Sequence, residues 1–89
     1  MDPNGRLPLR ESEVKVLLAL LHNEQIPIMT LPKIAELGGS AVYNSVGWLS
    51  ERGLVDESRE SEAPRRRMIR LTDKGKRVAK LLDSVEREL

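Results

Sequence analysis

Apolar and polar residues follow two different periods along this chain, and the switch between them places the elements. From Arg10 to Asn23, Val14, Leu17, Leu18 and Leu21 recur at helical spacing and form one inward stripe. Val16 and Leu20 extend the apolar surface onto a second face, so this helix needs cover on both sides. Glu11 and Glu13 fall in its first turn and His22 near its last, each favourable to the helix dipole. Ile26-Pro27-Ile28-Met29 reads as a short extended connection, in which Pro27, lacking a donor, fits an edge strand at most. Thr30 suits the cap of a second helix, with Pro32 in its first turn and Leu31, Ile34, Ala35 and Leu37 facing inward. Gly38-Gly39 ends that helix, because glycine tolerates the left-handed backbone of a C-terminal cap or tight turn.

A third helix follows at once, from Ser40 to Gly53. Val42, Val46 and Leu49, with Ser45 beside them, make its inner stripe. Ser40, Asn44, Gly47 and Glu51 make the opposite one, flanked by Tyr43 and Trp48, the only aromatic residues in the protein. A merely solvated face would carry Lys and Glu; this one is small, polar and bracketed by rings. Beyond Gly53 the period falls to two. Leu54–Ser58 and Arg67–Leu71 read as strands, the second with Ile69 and Leu71 on one face and Met68 and Arg70 on the other. Arg59–Arg66, containing Pro64, forms the hairpin tip between them. Such a hairpin is marginal alone and must pack on the helices. Thr72 caps a last helix running to about Glu88, with Asp73 in its first turn and an apolar stripe of Val78, Leu81, Leu82, Val85 and Leu89. Gly75 in that first turn serves either close packing or the close approach of a phosphate.

Length and composition narrow the class. Eighty-nine residues make one domain, which buries roughly 60–65% of its unfolded surface and gains from association. The doubly apolar first helix and the terminal stripe predict a homodimer joined through Val16, Leu20, Val78, Leu82, Val85 and Leu89. No apolar run approaches the length of a membrane span. The first residues lack the apolar core of a secretion signal. With no Cys there is neither a disulfide framework nor a thiolate zinc site. The expected location is the cytoplasm. His22 has no second His with which to complete a metal site. The chain shows no His–carboxylate cluster, glycine-rich phosphate loop or activated-nucleophile pattern, so the reading is not an enzyme and no cofactor or metal is expected.

Charge changes the picture more. The net charge is only +1, but residues 65–80 hold eight Arg or Lys and one acid, and the remainder is correspondingly acidic. A basic patch on an acidic protein points to a localised anionic partner. Lys74, Lys76 and Arg77 oppose the dipole at the start of the last helix. That unfavourable placement points the same way.

Two short helices joined through glycine are a helix-turn-helix. With the hairpin and final helix behind them, the order resembles that of winged helix-turn-helix domains, and most nearly the MarR-like transcriptional regulators and their small archaeal relatives. Leu49-Ser-Glu-Arg-Gly-Leu-Val55 is similar to the family's exit from the recognition helix into the first wing strand. Ile69-Arg-Leu-Thr-Asp-Lys-Gly75 is similar to the second wing strand running into the next helix. Arg65 stands near the family's wing arginine, with Ala63-Pro64 where an Asp is usual. The resemblance covers about residues 9–80 and implies a mainly α fold with a small β-hairpin (α+β). With Pro3, Gly5 and Pro8 marking an irregular arm at 1–9, the expected division is that arm, a winged domain at 10–72 and a dimerising helix at 73–89. The resemblance implies a dimeric transcriptional regulator that binds double-stranded DNA.

On that reading phosphate contacts orient the protein and base contacts select sequence. Arg65, Arg66, Arg67, Arg70, Lys74 and Lys76 are the phosphate or wing candidates, and a wing-tip Arg fits the narrow minor groove of A·T tracts. On the third helix Asn44 is the best base reader, since an amide pairs bidentately with adenine. Ser40 and Tyr43 can bond base edges or phosphates, Ala41 can touch a thymine methyl, and Gly47 leaves room for close approach. Trp48 stands between two roles, packing under the wing or contact. Ser40–Glu51 contains no Lys or Arg, so this face favours A·T-rich sites or else a protein. The alternative function is accordingly a protein-interaction module using the Tyr43/Trp48 face. No inducer pocket or small-molecule effector is indicated.

Overall fold

A computed structural model describes residues 9–89; the expected N-terminal arm lies, apart from Leu9, outside the described residues. The first helix, α1 (Glu11–Leu21), opens where the Arg10 backbone amide donates to Glu13 Oε1 at 3.0 Å, an anionic cap favourable to the dipole. It closes at His22, so it is shorter at its C-terminal end than the periodicity predicts. Strand β1 (Ile26–Pro27) is a two-residue edge strand, as the missing amide of Pro27 allows. Helix α2 (Leu31–Ala35) carries Pro32 in its first turn, but the Thr30 side chain makes no capping bond. Its end also departs from expectation. The left-handed residue is Glu36, at φ 58° and ψ 49°, while Gly38 is extended and serves as the N-cap of the next helix.

Helix α3 (Gly39–Glu51) begins one residue earlier than expected and buries Val42, Ser45, Val46 and Leu49, the inner stripe read from the sequence. Gly53, at φ +71°, turns the chain out of it. Strands β2 (Val55–Arg59) and β3 (Arg67–Leu71) pair antiparallel from Val55↔Leu71 to Arg59↔Arg67. The sheet has three strands in the order β1-β3-β2, because Ile26 and Pro27 pair with Ile69 and Met68. Met68 is buried along with Ile69 and Leu71, although it points to the other face of the strand. Helix α4 (Asp73–Glu88) is capped by Thr72, whose Oγ1 accepts from the Gly75 amide at 3.0 Å.

The core lies between α1, α3, the sheet and the first half of α4. Here the expected dimer face is corrected. Val16 is fully buried and Leu20 is 3% exposed, because α1 is covered by α2, α3, α4 and β3 of its own chain. The second apolar face of α1 is therefore satisfied within the domain. Val78 and Leu82 are likewise packed on the core. Only the outer part of the α4 stripe stays open: Leu81 is 68% exposed, and Val85 and Leu89 are exposed as well. No helix among the described residues is long and apolar enough to cross a membrane.

Candidate nucleic-acid interface

The outer face of α3 is open to solvent along its length. Ser40, Tyr43, Asn44 and Gly47 are exposed and Ala41 is half-buried. Behind that face α3 packs on the core through Val42, Val46 and Leu49 and makes one buried polar contact with α1. Glu13 and Ser45 are both buried, and Ser45 Oγ donates to Glu13 Oε2 at 3.3 Å across the α1–α3 junction. Trp48 is half-buried against the core, with the Arg52 guanidinium 3.8 Å above its ring. Covered on both sides, it packs rather than projects.

The hairpin stands beside this face. A crevice of about 300 Å³ runs between them, lined by Pro27, Ile28, Met29, Tyr43, Arg59, Pro64 and Arg65–Arg67. The Arg67 guanidinium lies 5.7 Å from the centre of the Tyr43 ring, which brings the tip-side end of the wing strands to α3. Arg65, at φ 55°, turns the corner of the tip, and its amide donates to the Glu62 carbonyl at 2.9 Å.

Two of the wing arginines are engaged. Arg66 donates through Nε and Nη2 to Glu60 at 2.8 and 2.9 Å. Arg67 donates through Nη2 and Nε to Glu57 at 2.7 and 2.9 Å. The Arg66 side chain and backbone bonds hold Glu60 down to about 2, and the hydrogen bond from Arg67 lowers Glu57. Both guanidiniums are raised in turn by their carboxylates. Protonating Glu60 breaks its pair, so the pair is intact at neutral pH and is lost only as pH falls toward 2.

The basic run is also divided in space. Arg65 and Arg66 lie at the tip, whereas Lys74 and Lys76 follow the opposite end of β3, about 13 Å away along the strand. Lys74 Nζ donates to the Arg52 carbonyl at 2.9 Å, at the C-terminus of α3. There its charge complements one dipole while opposing another. Lys74 and Lys76 therefore stand apart from the wing tip. With Arg70 they line a separate groove against the end of α1. Gly75 is settled for packing, since a Cβ there would run into the Leu54 carbonyl oxygen. Arg59 was missed in the sequence because it lies outside residues 65–80. The register Arg59↔Arg67 brings it to the crevice, with Nη1 donating to the Arg65 carbonyl at 3.3 Å.

The two segments that carried the resemblance meet in space. Thr72 Oγ1 donates to the Gly53 carbonyl at 2.7 Å, and the Thr72 amide donates to the Leu54 carbonyl at 3.1 Å. Together with Lys74 and Gly75 they form one joint between the end of α3, the root of the wing and the start of α4.

Comparison with known proteins agrees with this architecture. Residues 6–74 match the family model described as sugar-specific transcriptional regulator TrmB. No curated protein matches the chain. Among solved structures, a MarR family transcriptional regulator from Silicibacter pomeroyi DSS-3 is 32% identical with a TM-score of 0.75; the match covers 90% of this chain and 56% of that one. The PcaV transcriptional regulator from Streptomyces coelicolor, solved in complex with its natural ligand, is 32% identical with a TM-score of 0.78, covering 85% and 54%. Lactococcus lactis ZitR, at 20% identity, shares the fold with a TM-score of 0.85, covering 98% and 59%. The chain thus spans a little over half the length of these neighbours, the first two of which are transcriptional regulators. On the family match and the fold together, the chain belongs to the TrmB family of transcriptional regulators and is a MarR-like winged-helix domain.

Proposed function

We propose that this chain binds double-stranded DNA as a dimeric, cytoplasmic transcriptional regulator, with α3 in the major groove and the wing on the backbone or in the minor groove. The observation that carries the reading is the crevice itself. It sets an exposed, lysine-free reading face beside arginines of the hairpin. Asn44 is the base reader, supported by Ser40, Tyr43, Ala41 and the open backbone at Gly47. Arg59 and Arg65, which make no ion pair among the described residues, supply the phosphate grip. The protein-interaction alternative loses its second anchor, because Trp48 lies between the core and Arg52.

The dimer surface is the outer stripe of α4, Leu81, Val85 and Leu89, rather than α1. Binding to duplex DNA, followed by anisotropy against rising salt, tests the function. Arg65→Ala is expected to weaken binding to every duplex alike and to flatten the salt slope by about 0.9. Asn44→Ala is expected to cost roughly 1–3 kcal/mol at the best sites and little on random DNA. No binding to any duplex at low salt refutes the reading.

A further inference from the structure

The wing carries more positive charge than it offers. From Val55 to Leu71 five arginines stand against four carboxylates, a net of +1. Two of those arginines are held by carboxylates in fork geometry. Glu60 takes both guanidinium bonds of Arg66 and also its backbone amide, at 3.0 Å. Glu57 takes both bonds of Arg67 from the facing strand. Arg66, Arg67 and Glu57 are solvent-accessible, and both arginines line the crevice beside α3. A guanidinium in such a fork presents almost no net charge, and a phosphate must displace the carboxylate before it can use the same donors.

We propose that Glu57 and Glu60 are counter-charges that set the strength and salt dependence of the DNA interface's sequence-independent grip. By occupying Arg67 and Arg66 they withhold two cations from the sequence-independent grip on phosphates. Discrimination is left to the α3 face. The proposal rests on the duplex-DNA reading above. Phosphate neutralisation raises affinity for all sequences equally, so masking Arg66 and Arg67 lowers specific and non-specific binding by the same factor, makes the salt dependence shallower and leaves the ratio between the two to base contacts. The Glu57–Arg67 pair spans β2 to β3, and the Glu60–Arg66 pair closes the tip.

Glu62 provides the control. It lies in the same tip, is exposed, and makes no ion pair among the described residues. Glu57→Gln, Glu60→Gln and Glu62→Gln each remove one negative charge, but only the first two release an arginine. Binding to a random-sequence duplex and to a duplex selected by the wild-type protein is measured across a fourfold rise in salt. Each of Glu57→Gln and Glu60→Gln is expected to steepen the log–log salt slope by up to about 0.9, a three- to fourfold greater loss of affinity over that range. The double variant is expected to bind the random and the selected duplex more tightly by the same factor, leaving selectivity unchanged. Arg66→Ala added to Glu60→Gln is expected to restore the wild-type slope. The proposal is overturned if Glu62→Gln steepens the slope as much as Glu60→Gln does. It is equally overturned if the wild-type protein binds duplex DNA while both pair variants leave slope and affinity unchanged, a result that leaves the DNA-binding reading standing.

Discussion

At the scale of single residues, the polar group in the inner stripe of α3 has its explanation in a partner 32 positions away. Ser45 falls among Val42, Val46 and Leu49 by helical spacing alone, so its burial was legible. Glu13 was legible only as a first-turn acid, because spacing does not say which face of α1 will meet α3. The carboxylate accepts from the Arg10 amide, from Ser12 Oγ at 2.9 Å and from Ser45 Oγ. Removing it leaves the Ser45 hydroxyl buried without an acceptor and strips α1 of its cap. Glu13→Ala is therefore expected to cost about 1–3 kcal/mol in urea unfolding, and Ser45→Ala, which leaves Glu13 two of its three donors, only about 0.5–1.5 kcal/mol. Equal costs would mean that the contact does not bind α1 to α3 as described. The wing pairs illustrate the opposite limit. Glu60 and Glu57 are six and ten residues from their arginines, and the basic run shows as uncompensated until the strand register is known.

At the scale of elements, all four helices and both hairpin strands could be read from periodicity, with ends displaced by a residue or two. The short pieces were harder. Glu36 adopts the left-handed conformation that Gly38 and Gly39 seemed built for, since closing a five-residue helix puts the turn sooner than the glycines arrive. The joint at Gly53, Leu54, Thr72 and Gly75 gives a physical reason for the two motifs occurring as a pair: each satisfies backbone groups of the other. Gly75→Ala is the sharpest test. A methyl there meets the backbone carbonyl of Leu54, which is itself held by the Thr72 amide and has little room to yield. The expected loss is at least about 2 kcal/mol, a fall in melting temperature of roughly 10 °C for a domain of this size. A variant as stable as the wild type would show that the joint is loose.

At the scale of the whole molecule, sequence could not distinguish an apolar face that closes the core from one that meets another subunit. Val16 and Val85 look alike as stripe positions on amphipathic helices, yet one is wholly buried and the other half-exposed. Their variants should therefore fail differently. Val85→Glu is expected to leave the fold intact and shift light scattering from dimer to monomer. Val16→Glu is expected to unfold the chain, because it places a charge in a site with no partner. A wild-type monomer at micromolar concentration would remove α4 as a dimer surface.

The joint has a mechanical consequence. Because hydrogen bonds join α3, the wing root and α4 at one corner, a rotation of α4 would carry the rest of the reading head with it. Turning α4 steers the whole head like a rudder on its stock. Two heads carried on paired α4 helices would change their spacing and angle while each kept its shape. A signal acting on α4 would thus govern whether both heads fit one stretch of duplex at once, and leave untouched what each head reads.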